Sequence, residues 1–265
     1  MSRQKTNKLK WLVEGVPSGS LVDTPTLEAH GITRQLAHRY VESGWLEPVL
    51  RGLYKRPNSD LTEHDWRTVV HSLQSVMNYD SVVGGRTALS EQGLAHYLPI
   101  SKTQHVHLYG ANHPTWIRRL KSGAAYNLHT DKLFGGFADE ETTRVDTAFG
   151  KIVCSTPERA IFELIDELPN NESFHIVDTA FQSLSSARPR RFEQLLRACR
   201  SIKVKRLFFV FADKHAHAWR RHISPDQFDL GSGPRALVKD SQFHPIYKIS
   251  VPDNLLPHGE PNNGA

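Results

Sequence analysis

The sequence predicts an α+β protein: an N-terminal winged helix-turn-helix over residues 1–57, followed by a larger mixed α/β domain over residues 58–256. Three observations favour this architecture. A chain of 265 residues can bury two cores. The first 57 residues combine short helical segments with a basic hairpin, and the remainder alternates strand-like runs with amphipathic helices. Residues 257–265 are expected to form a disordered tail.

Three helices are predicted in the first 44 residues. Leucines and valines at helical spacing from Lys8 to Val16 predict the first helix, which Pro17 should end. Thr24 is expected to cap a short second helix, with Pro25 at its first position. Thr33 is expected to cap a third helix that ends near Gly44. This order of elements is typical of a helix-turn-helix.

The third helix has one apolar and one polar face. Leu36, Tyr40 and Val41 should point inward, which leaves a polar outer face suited to phosphates or base edges. Two β-prone runs, residues 45–49 and 52–56, should form a wing with a basic tip. The alternative is a small three-helix protein-interaction module. The predicted DNA-contacting residues are Thr33, Arg34, Gln35, His38, Arg39, Arg51 and Lys55.

The positive charge is concentrated at the N-terminus. The formal net charge is +5, and residues 1–58 contain nine Lys and Arg against five Asp and Glu. A basic terminal module suits a nucleic acid, because binding releases counterions from the phosphate backbone. A solvated basic surface remains the alternative explanation.

The first half of the larger domain combines a glycine-rich turn with a strand. An apolar run over residues 82–89 contains the pair Gly84 and Gly85 and precedes a helix expected to start at Ser90. No P-loop lysine follows, so a packing turn is predicted. Residues 104–109 alternate like a strand, with His105 and His107 on one face. Without a third ligand nearby, we expect an exposed strand face and no metal.

A strongly amphipathic helix and a second basic stretch follow. Thr156, Pro157 and Glu158 open the helix, whose apolar stripe should anchor a core. Another helix is expected over residues 204–218, and two strand-like segments over residues 236–238 and 247–251. The second basic stretch could face DNA or an acidic partner protein, or it could be a solvated face. Its basic residues are Arg188, Arg190, Arg191, Arg197, Arg200, Lys203, Lys205 and Arg206.

Catalytic signatures are missing from the sequence. No nucleophile elbow, no zinc-protease motif and no Cys/His cluster occurs, and no cofactor is implied. A metal-dependent nuclease is a remote alternative, because the candidate carboxylates do not have the spacing to Lys151 that such an enzyme needs. These carboxylates are Asp139, Glu140, Glu141 and Asp146. Cys154 and Cys199 are expected to be packed thiols. Without an apolar span or signal peptide, we expect a cytoplasmic protein.

Several segments resemble one protein family. Residues 44–54, Gly-Trp-Leu-Glu-Pro-Val-Leu-Arg-Gly-Leu-Tyr, resemble the helix-to-wing segment of AbiEi antitoxins from bacterial abortive-infection toxin-antitoxin systems. The Thr-Pro-Glu-Arg-Ala helix start at residues 156–160 is also similar to AbiEi-like sequences. AbiEi-like sequences also resemble three further segments: the glycine-rich turn after residue 82, residues 204–219 and residues 230–251. The resemblance extends over nearly the whole chain.

The resemblance implies a function that the composition of the chain and the spacing of its residues do not indicate. AbiEi-like antitoxins are encoded beside a nucleotidyltransferase-like toxin, repress the shared promoter through inverted repeats of double-stranded DNA, and counteract the toxin through the C-terminal domain. We therefore expect a repressor, not an enzyme, bound to DNA as a monomer or dimer. The alternative is a winged-helix regulator whose C-terminal domain binds a ligand or another protein, with no toxin partner.

Overall fold

The computed structural model describes residues 2–57, 65–95, 103–237 and 241–257. The chain divides into two compact units. Unit 1 comprises residues 1–83, 98–130 and 143–154, and unit 2 comprises residues 84–97, 131–142 and 155–265. Both contain helices and strands, which confirms the predicted α+β class. The predicted domain boundary at residue 57 stays a prediction.

Unit 1 begins with three helices and a three-stranded sheet. The helices are α1 (Ser2–Gly15), α2 (Thr24–Ala29) and α3 (Arg34–Glu42). The strands are β1 (Leu21–Asp23), β2 (Glu47–Leu50) and β3 (Leu53–Lys55), in the order β1-β3-β2. This is the predicted winged-helix arrangement with one addition, because β1 was not predicted. All three residues of β1 are buried, so this short strand shows no alternation of buried and exposed positions.

Local capping explains where the short helices begin. Thr33 caps α3 as predicted, and its Oγ1 accepts a hydrogen bond from the Leu36 amide at 3.4 Å. The predicted cap of α2 is wrong by one residue: Asp23 is the N-cap, and its Oδ1 accepts from the Thr26 amide at 3.0 Å. Thr24 is instead the first helical residue. A carboxylate at the cap satisfies an amide that would otherwise have no partner.

The wing is an antiparallel hairpin. β2 and β3 pair with a register irregularity between Pro48 and Leu50, and Gly52 in the turn has φ of +79°. Glycine adopts that angle without the strain that a side chain would cause. Trp45, which was predicted to start the strand, precedes it and is exposed.

Side-chain hydrogen bonds join the winged helix to the next segment of unit 1. The segment contains α4 (Trp66–His71), capped by Asp65, and a π-helical turn over Ser72–Val76. The Leu21 amide donates to Ser72 Oγ at 2.9 Å, and the Tyr79 hydroxyl donates to Asp23 Oδ2 at 2.7 Å. The sequence also predicts a linker at residues 58–60 and a helix that starts at Thr62, but residues 58–64 lie outside the described residues.

A five-stranded sheet completes unit 1. Its strands are β4 (Val82–Val83), β5 (Gln104–Tyr109), β6 (Ala124–His129), β7 (Thr142–Thr147) and β8 (Gly150–Ser155), in the order β6-β5-β4-β8-β7. The β4 strand pairs antiparallel with β5 and parallel with β8, and β5 pairs parallel with β6. The strand predicted over residues 104–109 is confirmed.

The prediction that the histidines of β5 lie on an exposed face is wrong for His107. This side chain is buried, while His105 is exposed. His107 Nδ1 lies 3.0 Å from His129 Nε2, and Asn127 Nδ2 lies 3.3 Å from His107 Nε2. The partners come from β6 and lie 20 and 22 residues further along the chain. Among the described residues, no group of three ligating side chains could hold a metal.

Unit 2 is mainly helical. Its helices are α5 (Gly85–Glu91), α6 (Pro157–Asp166), α7 (Phe174–Gln182), α8 (Pro189–Ala198) and α9 (Ile202–His215). The strands β9 (Gln242–Phe243) and β10 (Ser250–Val251) pair antiparallel. The core contains a cluster of stacked and tilted aromatic rings: Phe162, Phe181, Phe192, Phe208 and Phe211. Among the described residues, no helix is both long and apolar enough to cross a membrane.

Two predictions for unit 2 need correction. The helix expected from Ser90 begins at Gly85, whose amide donates to Glu163 Oε2 at 2.9 Å. A carboxylate from a distant helix therefore stabilises this helix start. Ala236 and Leu237 are not in a strand; β9 lies further along the chain, where it pairs with β10. The predicted tail was residues 257–265, of which all but Pro257 lie outside the described residues. The helices predicted near Thr156 and Val204 are confirmed.

Candidate nucleic-acid interface

The polar face of α3 is exposed as the sequence predicts. Arg34, Gln35, His38 and Arg39 are all exposed, while Ala37 on the opposite face is 2% exposed. Leu36, Tyr40 and Val41 are partly buried. Burial raises the pKa of the Tyr40 hydroxyl, and the adjacent Arg39 charge lowers it by less. The outer face of α3 therefore presents two guanidinium groups, an imidazole and an amide.

Weak surface ion pairs restrain only part of this face. Arg34 Nε lies 3.3 Å from Glu28 Oε1, with the two side chains 80% and 48% exposed. His38 Nδ1 lies 3.3 Å from Glu42 Oε1 one helical turn away. Such exposed pairs contribute roughly 0–1 kcal/mol, so a phosphate could replace the carboxylate at small cost. Arg39 has no ion-pair partner among the described residues.

The two predicted basic residues of the wing differ in accessibility. Arg51 lies in the turn between β2 and β3 and is exposed. Lys55 Nζ lies 3.0 Å from Glu47 Oε2, and its side chain is only 18% exposed. Arg56 is structural, because its Nη1 donates to the carbonyl groups of Val13 and Val16 at 2.7 Å each. Arg51 is therefore the more accessible of the two predicted wing contacts.

A groove of about 620 Å³ in unit 1 opens beside these residues. It is lined by Arg34, by Arg51 and by Arg119, which lies in a 3-10 turn over Ile117–Arg119. Sequence reasoning missed Arg119. The basic run of Arg118, Arg119 and Lys121 was a signal for it, but a short run of this kind has no helical or strand periodicity.

Comparison with known proteins identifies the family. A model described as "Transcriptional regulator, AbiEi antitoxin N-terminal domain" matches residues 5–100, and "Transcriptional regulator, AbiEi antitoxin, Type IV TA system" matches residues 103–252. The chain belongs to the AbiEi family. It is thus a member of a family of antitoxin transcriptional regulators of type IV toxin-antitoxin systems. The resemblance seen in the sequence is confirmed.

A solved structure has the same fold as this AbiEi-family protein. The crystal structure of the RV2827C protein from Mycobacterium tuberculosis matches with a TM-score of 0.60 and 13% identity. The match covers 94% of this chain and 91% of that one. At this identity the likeness shows the fold alone. No curated protein sequence matches significantly.

The second basic stretch of the AbiEi-family protein does not form one exposed surface. Lys205 and Arg206 are 8% and 2% exposed, so the prediction is wrong for them. Arg206 donates to the carbonyl groups of Leu230, Gly233 and Lys248. Both residues lie in α9, most of which is buried in the core of unit 2. Arg206 therefore organises loops instead of facing a partner.

Ion pairs or hydrogen bonds engage most of the remaining basic side chains of the stretch. Arg188 makes two side-chain hydrogen bonds to the buried carboxylate of Glu158, at 2.9 and 3.0 Å. The other contacts are Arg191 with Glu140 at 3.0 Å, Arg197 with Glu193 at 3.6 Å, and the Lys203 ammonium with the Asp166 and Leu168 carbonyl groups. Arg190 and Arg200 are exposed without an ion-pair partner among the described residues. The surface is consequently less basic than the sequence suggests.

The carboxylates considered for a nuclease are dispersed. Glu141 pairs with the buried Arg159, and Glu140 pairs with Arg191. Asp146 lies 3.6 Å from Lys151 in the hairpin of β7 and β8, and Asp139 begins a 3-10 turn. Paired carboxylates of this kind stabilise local structure.

Proposed function

We propose that this AbiEi-family protein represses its own promoter by binding inverted repeats of double-stranded DNA through the winged helix. The observation that carries the proposal is the exposed polar face of α3, formed by Arg34, Gln35, His38 and Arg39 next to the accessible Arg51. A helix with such a face can enter the major groove, where arginine and glutamine hydrogen bond to base edges.

Each predicted contact has a distinct role in this proposal. Arg34 and Arg39 bind bases or phosphates from the first and last turns of α3, and Gln35 and His38 reach the groove between them. The Thr33 hydroxyl caps the helix and fixes its entry point. Arg51 grips the adjacent backbone or minor groove. Lys55 adds positive charge at the base of the wing, where Glu47 partly offsets it.

We further propose that the protein counteracts a nucleotidyltransferase-like toxin encoded by the neighbouring gene, and that it acts by binding without catalysing a reaction. The family description supports this, because it names an antitoxin of a type IV system. The protein would act in the cytoplasm, as a monomer on each repeat or as a dimer across both. Inverted repeats suit either arrangement, since two-fold DNA symmetry presents two equivalent half-sites.

A fluorescence anisotropy titration of the full-length protein tests DNA recognition. The probes are the DNA upstream of its own gene and a scrambled duplex at several salt concentrations. Arg39→Ala should weaken binding to the promoter by about 1–3 kcal/mol, or roughly 5- to 150-fold. Arg144→Ala, an exposed arginine on the edge strand β7, is the matched charge control. Equal affinity for both duplexes, or equal loss in both variants, would contradict the proposal.

Co-expression tests the toxin relationship. The neighbouring gene is induced alone, together with this protein, and together with the Arg39→Ala variant. The protein and its variant are expressed from an independent promoter. Growth rescue by both forms of the protein is expected, because neutralisation should not need operator binding. No toxicity of the neighbouring gene, or no rescue, would leave a regulator without a toxin partner and refute this part of the proposal.

A further inference from the structure

We propose that the groove beside the wing binds a phosphate group of the DNA backbone, so that Arg119 belongs to the DNA interface. This inference rests on the proposed function and extends the interface beyond the predicted winged helix, into the connection between β5 and β6. Its ligand is a phosphodiester, recognised by charge and not by sequence.

The geometry of the groove brings three arginines from separate elements to one cavity. Arg34 comes from the first turn of α3, Arg51 from the wing turn and Arg119 from the 3-10 turn. Tyr54 and Trp116 form part of the walls. The guanidinium group binds phosphate through paired N–H donors, which makes arginine the preferred side chain for this ligand.

Positive charge exceeds negative charge in the groove, because three arginines and one carboxylate, that of Asp23, line it. Arg51 and Arg119 are exposed and have no ion-pair partner among the described residues. Asp23 also lines the groove, but its carboxylate already accepts from the Thr26 amide and hydroxyl and from the Tyr79 hydroxyl. An anion can therefore enter without displacing a strong internal pair.

Buried neighbours fix the backbone from which Arg119 projects. Trp116, Ile117 and Leu120 on either side of it are at most 7% exposed. The imidazole of His113 bridges Ser81 Oγ and the His129 carbonyl oxygen, each at 3.0 Å. The turn is thus anchored to the sheet of unit 1, and only the basic side chains project outward. Because the backbone is fixed, only the Arg119 side chain has to be ordered when a phosphate binds.

DNA is favoured over a small anion because of what surrounds the groove. Any occupant would lie against Arg34 and Arg51, the same side chains that we assign to DNA. A small anion would have to leave before DNA could bind, whereas a backbone phosphate of the same duplex would occupy the groove as α3 enters the major groove.

The test compares Arg119→Ala with Arg144→Ala in the full-length protein. Each backbone phosphate contact contributes about 0.9 to the slope of log affinity against log salt. Arg119→Ala should reduce that slope by about 0.9 and weaken binding about fivefold at 0.15 M salt, equally for promoter and scrambled DNA. Arg119→Lys should keep the wild-type slope. Thermal unfolding should be unchanged in all three variants, because both side chains are exposed.

Two outcomes would overturn the inference, and a third would refute promoter recognition alone. An unchanged slope in Arg119→Ala would place Arg119 outside the DNA interface, even if Arg39→Ala still lowered promoter affinity. If inorganic phosphate or ATP stabilised the free protein in an Arg119-dependent way while the DNA slope stayed unchanged, the groove would be a small-anion site. Equal affinity of the wild type for both duplexes would refute promoter recognition but not the groove, because the slope on scrambled DNA still reports the contact.

Discussion

Replacing Arg159 by methionine should reveal what the Thr-Pro-Glu-Arg-Ala helix contributes to the protein. The Arg159 side chain is 1% exposed, and its Nε donates to Glu163 Oε1 at 2.9 Å. Its Nη1 donates to the Gly136 carbonyl oxygen at 2.8 Å and to the Glu141 carboxylate. The guanidinium group also lies over the ring of Phe137, 3.7 Å from its centroid. Methionine retains much of the aliphatic volume and removes the charge.

The expected loss is about 3–5 kcal/mol, because removing one partner of a buried pair leaves the other charge uncompensated. That partner is Glu163, whose side chain is 1% exposed and which would lose its ion pair while keeping the hydrogen bonds from the Gly85 amide and the Ser155 hydroxyl. In a chain of this size the melting temperature should fall by roughly 6–20 °C.

The loss should also depend on pH. Burial raises the pKa of the Glu163 carboxyl, and the Arg159 charge lowers it again in part. In Arg159→Met the pKa therefore rises further, so the folded state binds a proton that the unfolded state releases. Stability of the variant should then fall relative to the wild type as the pH rises. Urea denaturation at pH 5.5 and pH 8, followed by circular dichroism, measures both effects.

Two controls make the result interpretable. Arg190→Met changes an exposed arginine of α8 and should alter stability by less than about 0.5 kcal/mol. Arg159→Met combined with Glu163→Gln removes both charges and should recover part of the loss. A loss below about 1 kcal/mol in Arg159→Met, or a double variant less stable than Arg159→Met, would refute the reasoning that the buried charges depend on each other.

Three further predictions concern other sites. Burial raises the pKa of the Glu158 carboxyl, but hydrogen bonds from Arg188 outweigh this effect and lower the pKa below the ordinary value of 4.5. The wild type should therefore lose stability relative to Glu158→Gln as the pH falls below about 4.5. An equal loss of stability with falling pH in the two proteins would contradict this. Cys154 and Cys199 are buried and form no disulfide, and burial raises the pKa of the Cys199 thiol to about 11. Ellman's reagent at pH 8 should therefore label neither cysteine in the folded protein and both in guanidinium chloride. Asp23→Ala removes both a helix cap and the acceptor of a tyrosine hydroxyl, so it should cost about 1–3 kcal/mol in urea denaturation, and a loss below about 0.5 kcal/mol would count against that role.

Much of the winged helix could be predicted because its signals are local. Thr33 caps α3 three residues from the amide that it binds, and Gly52 allows the turn beside Arg51. The spacing of apolar residues on α3 indicated which side chains would be exposed. The cap of α2 was misplaced by one residue because Asp23 and Thr24 both suit an N-cap, and only the fold distinguishes them.

The roles of individual charged residues were harder to predict. Arg206 was expected on a basic surface but binds carbonyl groups 24 to 42 residues away. Arg56 resembled a wing residue but binds carbonyl groups at the end of α1. His107 was expected on an exposed strand face, but its strand pairs with β6. In each case the partner is distant in the sequence, so neither periodicity nor composition could reveal it.

The sequence by itself determined the family, the α+β class, the main helices and the exposed polar face of α3. It did so because helix caps, turn residues and apolar spacing act within a few residues, and because family motifs are short. Only the tertiary structure decided which cations remain accessible. It buried Lys205 and Arg206, paired Lys55 and Arg188, and brought Arg119 to the same groove as Arg34 and Arg51. Accessibility depends on which distant segments pack together, and that is a property of the folded chain.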